Sequence, residues 1–419
     1  MTETQLTSDY DRVAATYRRN LSSGRARLAD MLGGHLEVES KGAWITVADG
    51  QHFLNVGGYG VFITGARHPI VVAEVERQLH SHPISSRLFL EPALGRAAQM
   101  LTATTPPGLN RVHFCNSGAE ATEAAIKLAR LNQRPFLIST VGGYHGKTMG
   151  ALSVTGRSVF QDPFRPLLPD VAHVPFGDTA ALAAVLREHP EQACVILEPV
   201  QAEAGVVLPP PGYLAAVQSL CAEYGALFVL DEVQTGLGRL GLWWGAERES
   251  IRPDVLLSGK GLGGAVMPVA AVIATDEVFS GLDRDPLLHT STFSGAPIAM
   301  AAVCGALRAI EEDGLVERAA RLGEILLREI TRIVDRYLSD LGARVRGSGL
   351  LIAVDIAEPG VAGELLIELV KNNVVANLSM NSDFVLRFTP PAVLSDNEVD
   401  FFLNRFEVAA RATAQYGNR

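Results

Sequence analysis

The sequence contains few cysteines and no long apolar run. Its four cysteines lie far apart and form no Cys-x-x-Cys motif, so we expect buried small side chains rather than disulfides or metal ligands. No apolar stretch approaches the ~20 residues that a membrane-spanning helix needs. The N-terminal stretch MTETQLTSDYDRVAATYRRN lacks the basic start and apolar run of a secretory signal. Together these absences predict a cytoplasmic protein with no metal site and no membrane contact.

Positively charged residues are also outnumbered. The sequence has 36 lysines and arginines and 46 aspartates and glutamates, which gives a net charge of −10. This balance argues against a surface that binds nucleic acid. Lysine is scarce, and arginine cannot replace it as an amine nucleophile because arginine does not deprotonate in proteins. Any amine chemistry must therefore come from one of five lysines: Lys41, Lys127, Lys147, Lys260 and Lys371.

The chain does contain enough apolar material for two domains, with 419 residues, 47% hydrophobic side chains and 40 glycines for tight loops. Between residues 58 and 297, short apolar runs alternate with helical patterns such as EATEAAIKLARL. The runs are RVHFC, PFLIST, ACVILEPV, ALFVLDEV, DVLLSG and VAAVIAT. Continuous apolar strands with helical crossovers predict a large α/β domain, in which a mainly parallel, mixed sheet has helices on both faces.

The remaining residues predict a smaller α+β domain, formed by residues 1–57 together with 298–419. The N-terminal segment starts as a polar helical arm, and HLEVESKGAWITVADGQHFLNV then alternates apolar and polar side chains as short antiparallel strands do. After Pro297, long helical patterns precede two strand-like runs, GLLIAVDI and FVLRFTP. We expect the N-terminal strands to join this C-terminal part.

Two nucleotide-binding motifs nearly occur. Gly236-Leu-Gly238-Arg-Leu-Gly241 matches Gly-x-Gly-x-x-Gly, but Asp-Glu-Val-Gln-Thr separates it from the preceding strand and LWWGAERES follows where a helix should begin. GGYHGKT resembles a P-loop but is one residue too short to wrap a phosphate in the usual geometry. A P-loop-like nucleotide-binding protein is therefore the alternative from a different functional class.

Four features follow predicted strands and can converge on one site, because ligands of such sheets lie beyond the carboxyl ends of the strands. After RVHFC, Ser117, Gly118 and Ala119 precede a helix whose N-terminus can bind a phosphate, although Ser117 can equally be an ordinary helix cap. After PFLIST, Tyr144 and His145 lie between glycines. The aromatic ring there can stack on a flat cofactor or pack on the protein core.

The other two features carry charge. Asp231 directly follows ALFVL, where a carboxylate is costly unless it has a cationic partner or caps a helix. The partner can be a side chain in a buried ion pair, or a pyridinium N–H whose ring then takes up electrons. Lys260 follows DVLLSG between glycines, where a partly desolvated amine has a lowered pKa suited to Schiff-base formation. Lys147 is its one serious rival.

At these residues the sequence resembles the class III, or ω-, aminotransferases, which are fold-type I enzymes that depend on pyridoxal 5′-phosphate. The resemblance runs from about residue 38 nearly to the end. It is carried by FCNSGAEATEAAIKLAR, GGYHGKTMGALSVTG, ILEPVQAEAGVVLPPPGYL, LFVLDEVQTGLGRLG, LLSGKGLGGAVMP and HTSTFSGAP. Within the family the sequence is most similar to putrescine aminotransferases, through GGYGVF, FRPLLPDVAHVPFG and HTSTFSG, and next to ornithine aminotransferases.

The resemblance implies a role for each matching residue. Lys260 would bind the cofactor as a Schiff base and move the substrate proton, Asp231 would pair with the pyridine nitrogen, and Gln234 would contact the ring hydroxyl. Thr292 would reach the phosphate in the neighbouring subunit, which implies a homodimer with shared active sites. The resemblance implies further cofactor contacts. Val233 and Tyr144 would cover the ring, and His145 would lie beside it. The phosphate would be bound by Ser117, Gly118 and Ala119.

Three matching residues are implied to bind substrate: Tyr59, Glu203 and Arg387. Arg387 can hold a carboxylate in a bidentate fork, and Glu203 can neutralise Arg387 when the substrate has no carboxylate. The implied reaction moves a terminal amino group between a putrescine-like amine, or its aldehyde, and a 2-oxo acid by a ping-pong mechanism. Ornithine or another ω-amino acid, and a larger aldehyde from a biosynthetic pathway, are the alternative substrates.

The sequence departs from the family pattern at several positions. Ala119 replaces a hydroxyl residue common in putrescine enzymes, and the usual TFGGNP reads TFSGAP here. Lys147 stands where ornithine-type enzymes place an arginine for the distal carboxylate of 2-oxoglutarate. Trp243 and Trp244 stand where smaller or single aromatics are usual. None of these departures touches the lysine, the aspartate or the aromatic stack, so they affect the expected substrate and not the cofactor.

Overall fold

The computed structural model describes residues 3–382 and 384–417, so residues 1, 2, 383, 418 and 419 of the predicted smaller domain lie outside the described residues. The α-helices in the described part are α1 (Glu3–Asn20), α2 (Ser23–Met31), α3 (Pro69–Ser81), α4 (Pro92–Thr102), α5 (Gly118–Leu131), α6 (Met149–Val154), α7 (Ser158–Gln161), α8 (Thr179–Glu188), α9 (Tyr213–Tyr224), α10 (Asp276–Arg284), α11 (Pro297–Glu312), α12 (Leu315–Tyr337), α13 (Pro359–Lys371) and α14 (Asp396–Gly417). The strands are β1 (Glu37–Lys41), β2 (Trp44–Val47), β3 (His52–Asn55), β4 (Arg111–Cys115), β5 (Phe136–Thr140), β6 (Val171–Val174), β7 (Ala193–Leu197), β8 (Leu227–Asp231), β9 (Val255–Ser258), β10 (Ala270–Ala274), β11 (Arg344–Ser348), β12 (Leu351–Asp355), β13 (Val374–Val375), β14 (Asn377–Leu378) and β15 (Val385–Phe388).

The central sheet has the strand order β4-β10-β9-β8-β7-β5-β6. Strands β6, β5, β7, β8 and β9 are parallel, whereas β10 runs antiparallel to both β9 and β4. All six apolar runs of the sequence form strands of this sheet. The predicted mainly parallel, mixed sheet is therefore confirmed. Strand β6 was not predicted, because its short VAHV sequence has one buried residue and no continuous apolar run.

Both faces of the central sheet are buried. Within β7, Val195 and Leu197 belong to the apolar cluster that contains Leu214 of α9. The alternate residues Cys194 and Ile196 belong to the cluster on the opposite face, which contains much of α5. Because successive side chains of a strand point to opposite faces, this division places helices on both sides of the sheet. The α/β architecture of the sequence prediction is confirmed.

Two four-stranded sheets flank this architecture. One has the order β1-β2-β3-β13 and the other the order β11-β12-β15-β14. Strands β1 to β3 are antiparallel as predicted, and β13 joins them in parallel, with Val374 opposite Leu54. The N-terminal strands thus join the C-terminal part of the chain. The division into domains of residues 58–297 and of 1–57 with 298–419 stays a prediction, because the largest apolar cluster includes residues of both parts.

The cysteines behave as small core residues, since all four are buried and free. No helix within residues 3–382 and 384–417 has both the length and the hydropathy required to cross a bilayer.

Close packing explains the glycines of the Gly-x-Gly-x-x-Gly match. A Cβ on Gly236 would lie 2.6 Å from the ring of Trp244, and a Cβ on Gly241 would lie 2.8 Å from the Cα of Ala320 in α12. Trp244 is buried and donates its indole N–H to the carbonyl oxygen of Thr104 at 2.7 Å. The segment is a packed turn against α12, and its glycines need no dinucleotide to account for them.

Gly323 in α12 is expected to tolerate no side chain. A Cβ there would lie 2.4 Å from the carbonyl oxygen of Gly349, which is backbone and cannot rotate away. We expect Gly323→Ala to lower the free energy of unfolding by about 1–3 kcal/mol, as overpacking does. The matched control is Gly363→Ala in α13, where a Cβ meets nothing within 4 Å. That variant should gain up to about 1 kcal/mol. Equal urea midpoints for the two variants would contradict the packing argument.

Candidate active site

Residues that can carry chemistry follow the carboxyl ends of neighbouring strands. Strand β4 shares the direction of β9, because both are antiparallel to β10. The segments after β4, β5, β7, β8 and β9 therefore meet at one edge of the sheet. A pocket of about 230 Å³ lies there. It is lined by Gly118, Ala119, Tyr144, His145, Gly146, Lys147, Glu198, Glu203, Asp231, Val233, Gln234 and Lys260.

Asp231 ends β8 and is buried. Its Oδ2 lies 2.7 Å from Nδ1 of His145, and its Oδ1 accepts the N–H of Val233 at 3.1 Å. Burial disfavours a charged imidazole, but the hydrogen bond and charge of Asp231 outweigh it and raise the pKa of His145. The buried ion pair considered for Asp231 is thus present, with His145 as the partner. Both residues nevertheless line the pocket.

Glu198 is a second buried carboxyl that the sequence analysis did not select. Its Oε1 accepts the N–H of Tyr144 at 3.0 Å and its Oε2 accepts the N–H of Ala202 at 3.2 Å. Burial raises the pKa of Glu198 to about 7. Glu198 directly follows the apolar run ACVIL, as Asp231 follows ALFVL. The signal that selected Asp231 was therefore available for Glu198 as well.

Lys260 follows β9 and projects its amine into the pocket, where it donates to the side-chain oxygen of Gln234. Its backbone has φ +45°, a left-handed conformation that costs energy for any residue with a side chain. Desolvation lowers the pKa of Lys260, and the charge of Arg387 acts in the same direction. The rival Lys147 is exposed at the pocket, with its ammonium 3.9 Å from the ring centre of Phe160.

Glu203 and Arg387 form a buried ion pair, with 2.7 Å between Oε1 and Nη1. Burial opposes the charge of Glu203, but the positive charges of Arg387 and Lys260 outweigh it and lower the pKa of the carboxyl. Glu203 Oε2 also accepts the N–H of Met380 at 3.0 Å. Within the described residues, Nε and Nη2 of Arg387 have no hydrogen-bond partner. Arg387 therefore keeps donors free for a further acceptor.

Four selected residues do not line the central pocket. One is Arg387, which is paired with Glu203 of the lining. Ser117 is exposed at the N-terminus of α5, and its hydroxyl accepts the N–H of Glu120 at 3.3 Å, which is the ordinary cap considered for it. Thr292 lies in an exposed turn. Tyr59 lines an adjoining apolar cavity instead.

The sequence profile of the family described as aminotransferase class-III matches residues 30–410. This chain belongs to the class III aminotransferase family. The chain is also similar to solved aminotransferase structures. They include ornithine aminotransferase from Toxoplasma gondii ME49 (28% identity, 99% of this chain, 100% of that chain, TM-score 0.90), the omega transaminase from Pseudomonas jessenii in complex with PMP (26%, 93%, 95%, 0.86) and a transaminase from the marine bacterium Virgibacillus (26%, 91%, 94%, 0.85).

Class III aminotransferases use pyridoxal 5′-phosphate, so the predictions of family, fold type, enzyme class and cofactor are confirmed. The residues of this aminotransferase fit that cofactor. Lys260 supplies an amine, Asp231 supplies a buried carboxylate, and Nε2 of Gln234 has no hydrogen-bond partner among the described residues. The P-loop alternative receives no support from these matches.

Proposed function

We propose that this aminotransferase moves a terminal amino group between an amine, or its aldehyde, and a 2-oxo acid by a ping-pong mechanism, with Lys260 as the group that moves the proton. The observation that carries the proposal is the desolvated amine of Lys260 in one pocket with Asp231 and Gln234. When bound, the cofactor supplies an electron sink for negative charge at the amine-bearing carbon.

Each cofactor contact is assigned to a residue by its chemistry. Asp231, held by His145, would pair with a protonated ring nitrogen, and Gln234 would contact the ring hydroxyl. The two faces of the ring would be covered by Val233 and Tyr144, which both line the pocket. The phosphate would lie at the N-terminus of α5, where Gly118 and Ala119 line the pocket beside Ser117 and the helix dipole favours an anion. Thr292 of a second subunit would complete the phosphate site.

Lys260 would remove the proton from the amine-bearing carbon and would deliver it to the cofactor carbon that is bonded to the same nitrogen. A neutral amine is required for removal, and desolvation favours the neutral form by lowering the pKa of Lys260. The amine lies next to the side-chain oxygen of Gln234, which orients it within the pocket. The same nitrogen therefore acts as base and then as acid in each half-reaction.

The ion pair of Glu203 and Arg387 supports a substrate with its amine on a terminal carbon. While the donor is bound, Glu203 would stay paired with Arg387 and no free cation would face the substrate. When the 2-oxo acid binds, Glu203 would move away and Arg387 would hold the carboxylate with its free donors. Putrescine-like diamines are the first donors to test. Ornithine and other ω-amino acids come next, because a 28% identical structure is an ornithine aminotransferase.

Borohydride reduction tests the assignment of Lys260. The purified protein is expected to be yellow, and reduction should fix the cofactor onto one peptide, which mass spectrometry should identify as the peptide containing Lys260. The motivation is that Lys260 alone among the lysines of the described residues combines a lowered pKa with a place in the pocket. The Lys260→Ala variant is the control and should take no label. Label on Lys147 would overturn the assignment.

We also propose that the enzyme is a homodimer. Exposed apolar side chains on segments that Arg87 joins by hydrogen bonds to the carbonyl oxygens of Ser291 and Ser294 support an interface between copies, since monomeric proteins rarely expose large contiguous apolar patches. These side chains are Leu88 at 84%, Phe89 at 82%, Leu287 at 81% and Phe293 at 60% exposure. Phe293 directly follows Thr292, which places the predicted shared residue beside this apolar surface.

Mixed dimers test whether Thr292 serves the partner site. Thr292→Ala and Lys260→Ala homodimers should each be severely impaired. After subunit exchange, a hybrid dimer contains one site with both wild-type residues, so up to about a quarter of wild-type activity per total subunit should return. Mixing Lys260→Ala with Asp231→Ala is the control. Both residues belong to one subunit's own pocket, so no site of that hybrid has both wild-type residues and no activity should return. An active monomer at high dilution would contradict the proposal.

We further propose a cytoplasmic location. Four buried free thiols suit a reducing compartment, where disulfides do not form. Cell fractionation with an antibody against the native chain tests this location.

A further inference from the structure

An apolar cavity of about 620 Å³ adjoins the catalytic pocket. Its walls are formed by α2 through Leu28 and Ala29, by β3 through Phe53, and by α13 through Leu366 and Val370. The volume falls within the roughly 300–1,000 Å³ of sites that bind small molecules, and the lining is predominantly apolar as in such sites. A cavity of this kind suits an apolar ligand.

The cavity and the catalytic pocket share a wall. Met380 lines the cavity, and its backbone N–H donates to Glu203 of the catalytic pocket at 3.0 Å. Tyr59 also lines the cavity, and its neighbour Gly60 lies beside Gln234 and Lys260 of the catalytic pocket. A Cβ on Gly60 would lie 3.2 Å from Nε2 of Gln234 and 3.7 Å from Cδ of Lys260. The loop of Tyr59 and Gly60 therefore borders both the apolar cavity and the reactive amine.

Tyr59 is held against the cavity in a strained conformation. Its φ of 53° and ψ of 21° are left-handed, which a bulky aromatic residue rarely adopts. With the amide of Asn377 oriented to bring its oxygen to this loop, that oxygen accepts the N–H groups of Gly58 and Tyr59 at 3.2 Å each. The phenol side chain remains 57% exposed. Backbone strain of this kind persists where surrounding contacts enforce it, and it marks functional sites.

We propose that this cavity binds the aliphatic chain of the amine substrate. The terminal amine would lie at Lys260, the chain would pass Tyr59, and the apolar end would lie between α2 and α13. The substrate class is a long-chain primary alkylamine or the matching aldehyde. Glu37, the one carboxylate of the lining, is exposed to water and does not make the interior polar. This inference rests on the proposed reaction and specifies its donor beyond the short diamines.

A homologous series of amines tests the proposal with the complete enzyme. Butylamine, hexylamine, octylamine and decylamine are compared as donors to one 2-oxo acid. Because each buried methylene adds hydrophobic free energy, kcat/KM should rise by about two- to fourfold per methylene until the cavity is filled. A short diamine such as putrescine should be a poorer donor than octylamine, because its second ammonium would lose water in the cavity.

Two variants that fill the cavity from different walls test the proposal by mutation. Ala29→Trp in α2 and Val370→Trp in α13 should lower the ratio of decylamine to butylamine kcat/KM by about tenfold or more, since several methylenes lose their site. Ala15→Trp in α1 is the matched control, because Ala15 is exposed and does not line the cavity. That variant should keep the wild-type ratio.

The outcomes separate the inference from the proposed function. A wild-type enzyme that transaminates butylamine but shows no preference for chain length overturns the cavity assignment and leaves the proposed reaction intact. The cavity assignment also fails if Ala29→Trp converts a dimer to a monomer and lowers both amines equally, because the cavity would then be covered by a second copy. Inactivity with every terminal amine, together with activity on an α-amino acid, overturns the proposed function itself.

Discussion

Lys260→Ala is expected to abolish transamination while leaving a folded protein. Removing the amine would remove the proposed base and acid of both half-reactions, so turnover should fall by at least about a thousandfold, within the range that positioned proton transfer contributes. With the cofactor removed from both proteins, the variant should unfold at the wild-type temperature or above it. Desolvation lowers the pKa of Lys260, which means that the native site disfavours the ammonium that the alanine variant no longer contains.

Two comparisons make this result specific to the amine. Lys147→Ala should lose far less turnover, because Lys147 is exposed and its ammonium contacts Phe160 rather than the carboxylates of the pocket. Added methylamine should restore part of the activity of Lys260→Ala but none to Asp231→Ala, since a small amine can occupy the vacated space and move the proton. Steady-state turnover and circular dichroism measure both points. Wild-type turnover in Lys260→Ala would refute the assignment.

The second large effect concerns Arg387. Arg387→Ala should slow the half-reaction with the 2-oxo acid by about ten- to a hundredfold or more, because hydrogen bonds to a charged group contribute about 1.5–3 kcal/mol. The half-reaction with an amine that lacks a carboxylate should suffer less. Each half-reaction is followed in a single turnover by the visible absorption of the cofactor, so the two effects are separated in one experiment.

A double variant distinguishes substrate binding from a structural role of the pair. Arg387→Ala leaves Glu203 as a buried carboxylate without its partner, a defect that costs roughly 3–5 kcal/mol. Combining it with Glu203→Gln removes that uncompensated charge. If Arg387 binds the oxo acid, the double variant recovers stability but still fails in the oxo-acid half-reaction. If the pair is only structural, both half-reactions recover together.

The central sheet could be predicted because its strands are buried on both faces and read as continuous apolar runs, whereas β6 has one buried residue and gave no such signal. The same logic located Asp231, which ends an apolar strand, and Lys260, which follows another strand after one glycine. It should have located Glu198 too. Glu203 and Arg387 were selected only through the family resemblance, because β15 and the segment after β7 meet through tertiary packing that no local pattern encodes.

The direction of a side chain was harder to predict than its position in the sequence. The contact of Tyr59 with substrate stays a prediction, and in the structure Tyr59 has a left-handed backbone and lines the neighbouring apolar cavity. The contact of Ser117 with the phosphate also stays a prediction, because its hydroxyl oxygen accepts the N–H of Glu120 as a helix cap while its O–H can still donate. Both outcomes depend on a local dihedral or a competing donor, and the sequence pattern is the same in either case.

The parallel pairing of β3 with β13 has a consequence for synthesis on the ribosome. Strands β1 to β3 can form as soon as they emerge, but β13 follows about 320 residues later. At about 5–20 residues per second, the nascent chain carries an unpaired strand edge for roughly 15 to 60 seconds. Such an edge is a template for pairing with other chains. Chaperone binding to ribosome-bound fragments of this enzyme should therefore be strongest before residue 374 is translated.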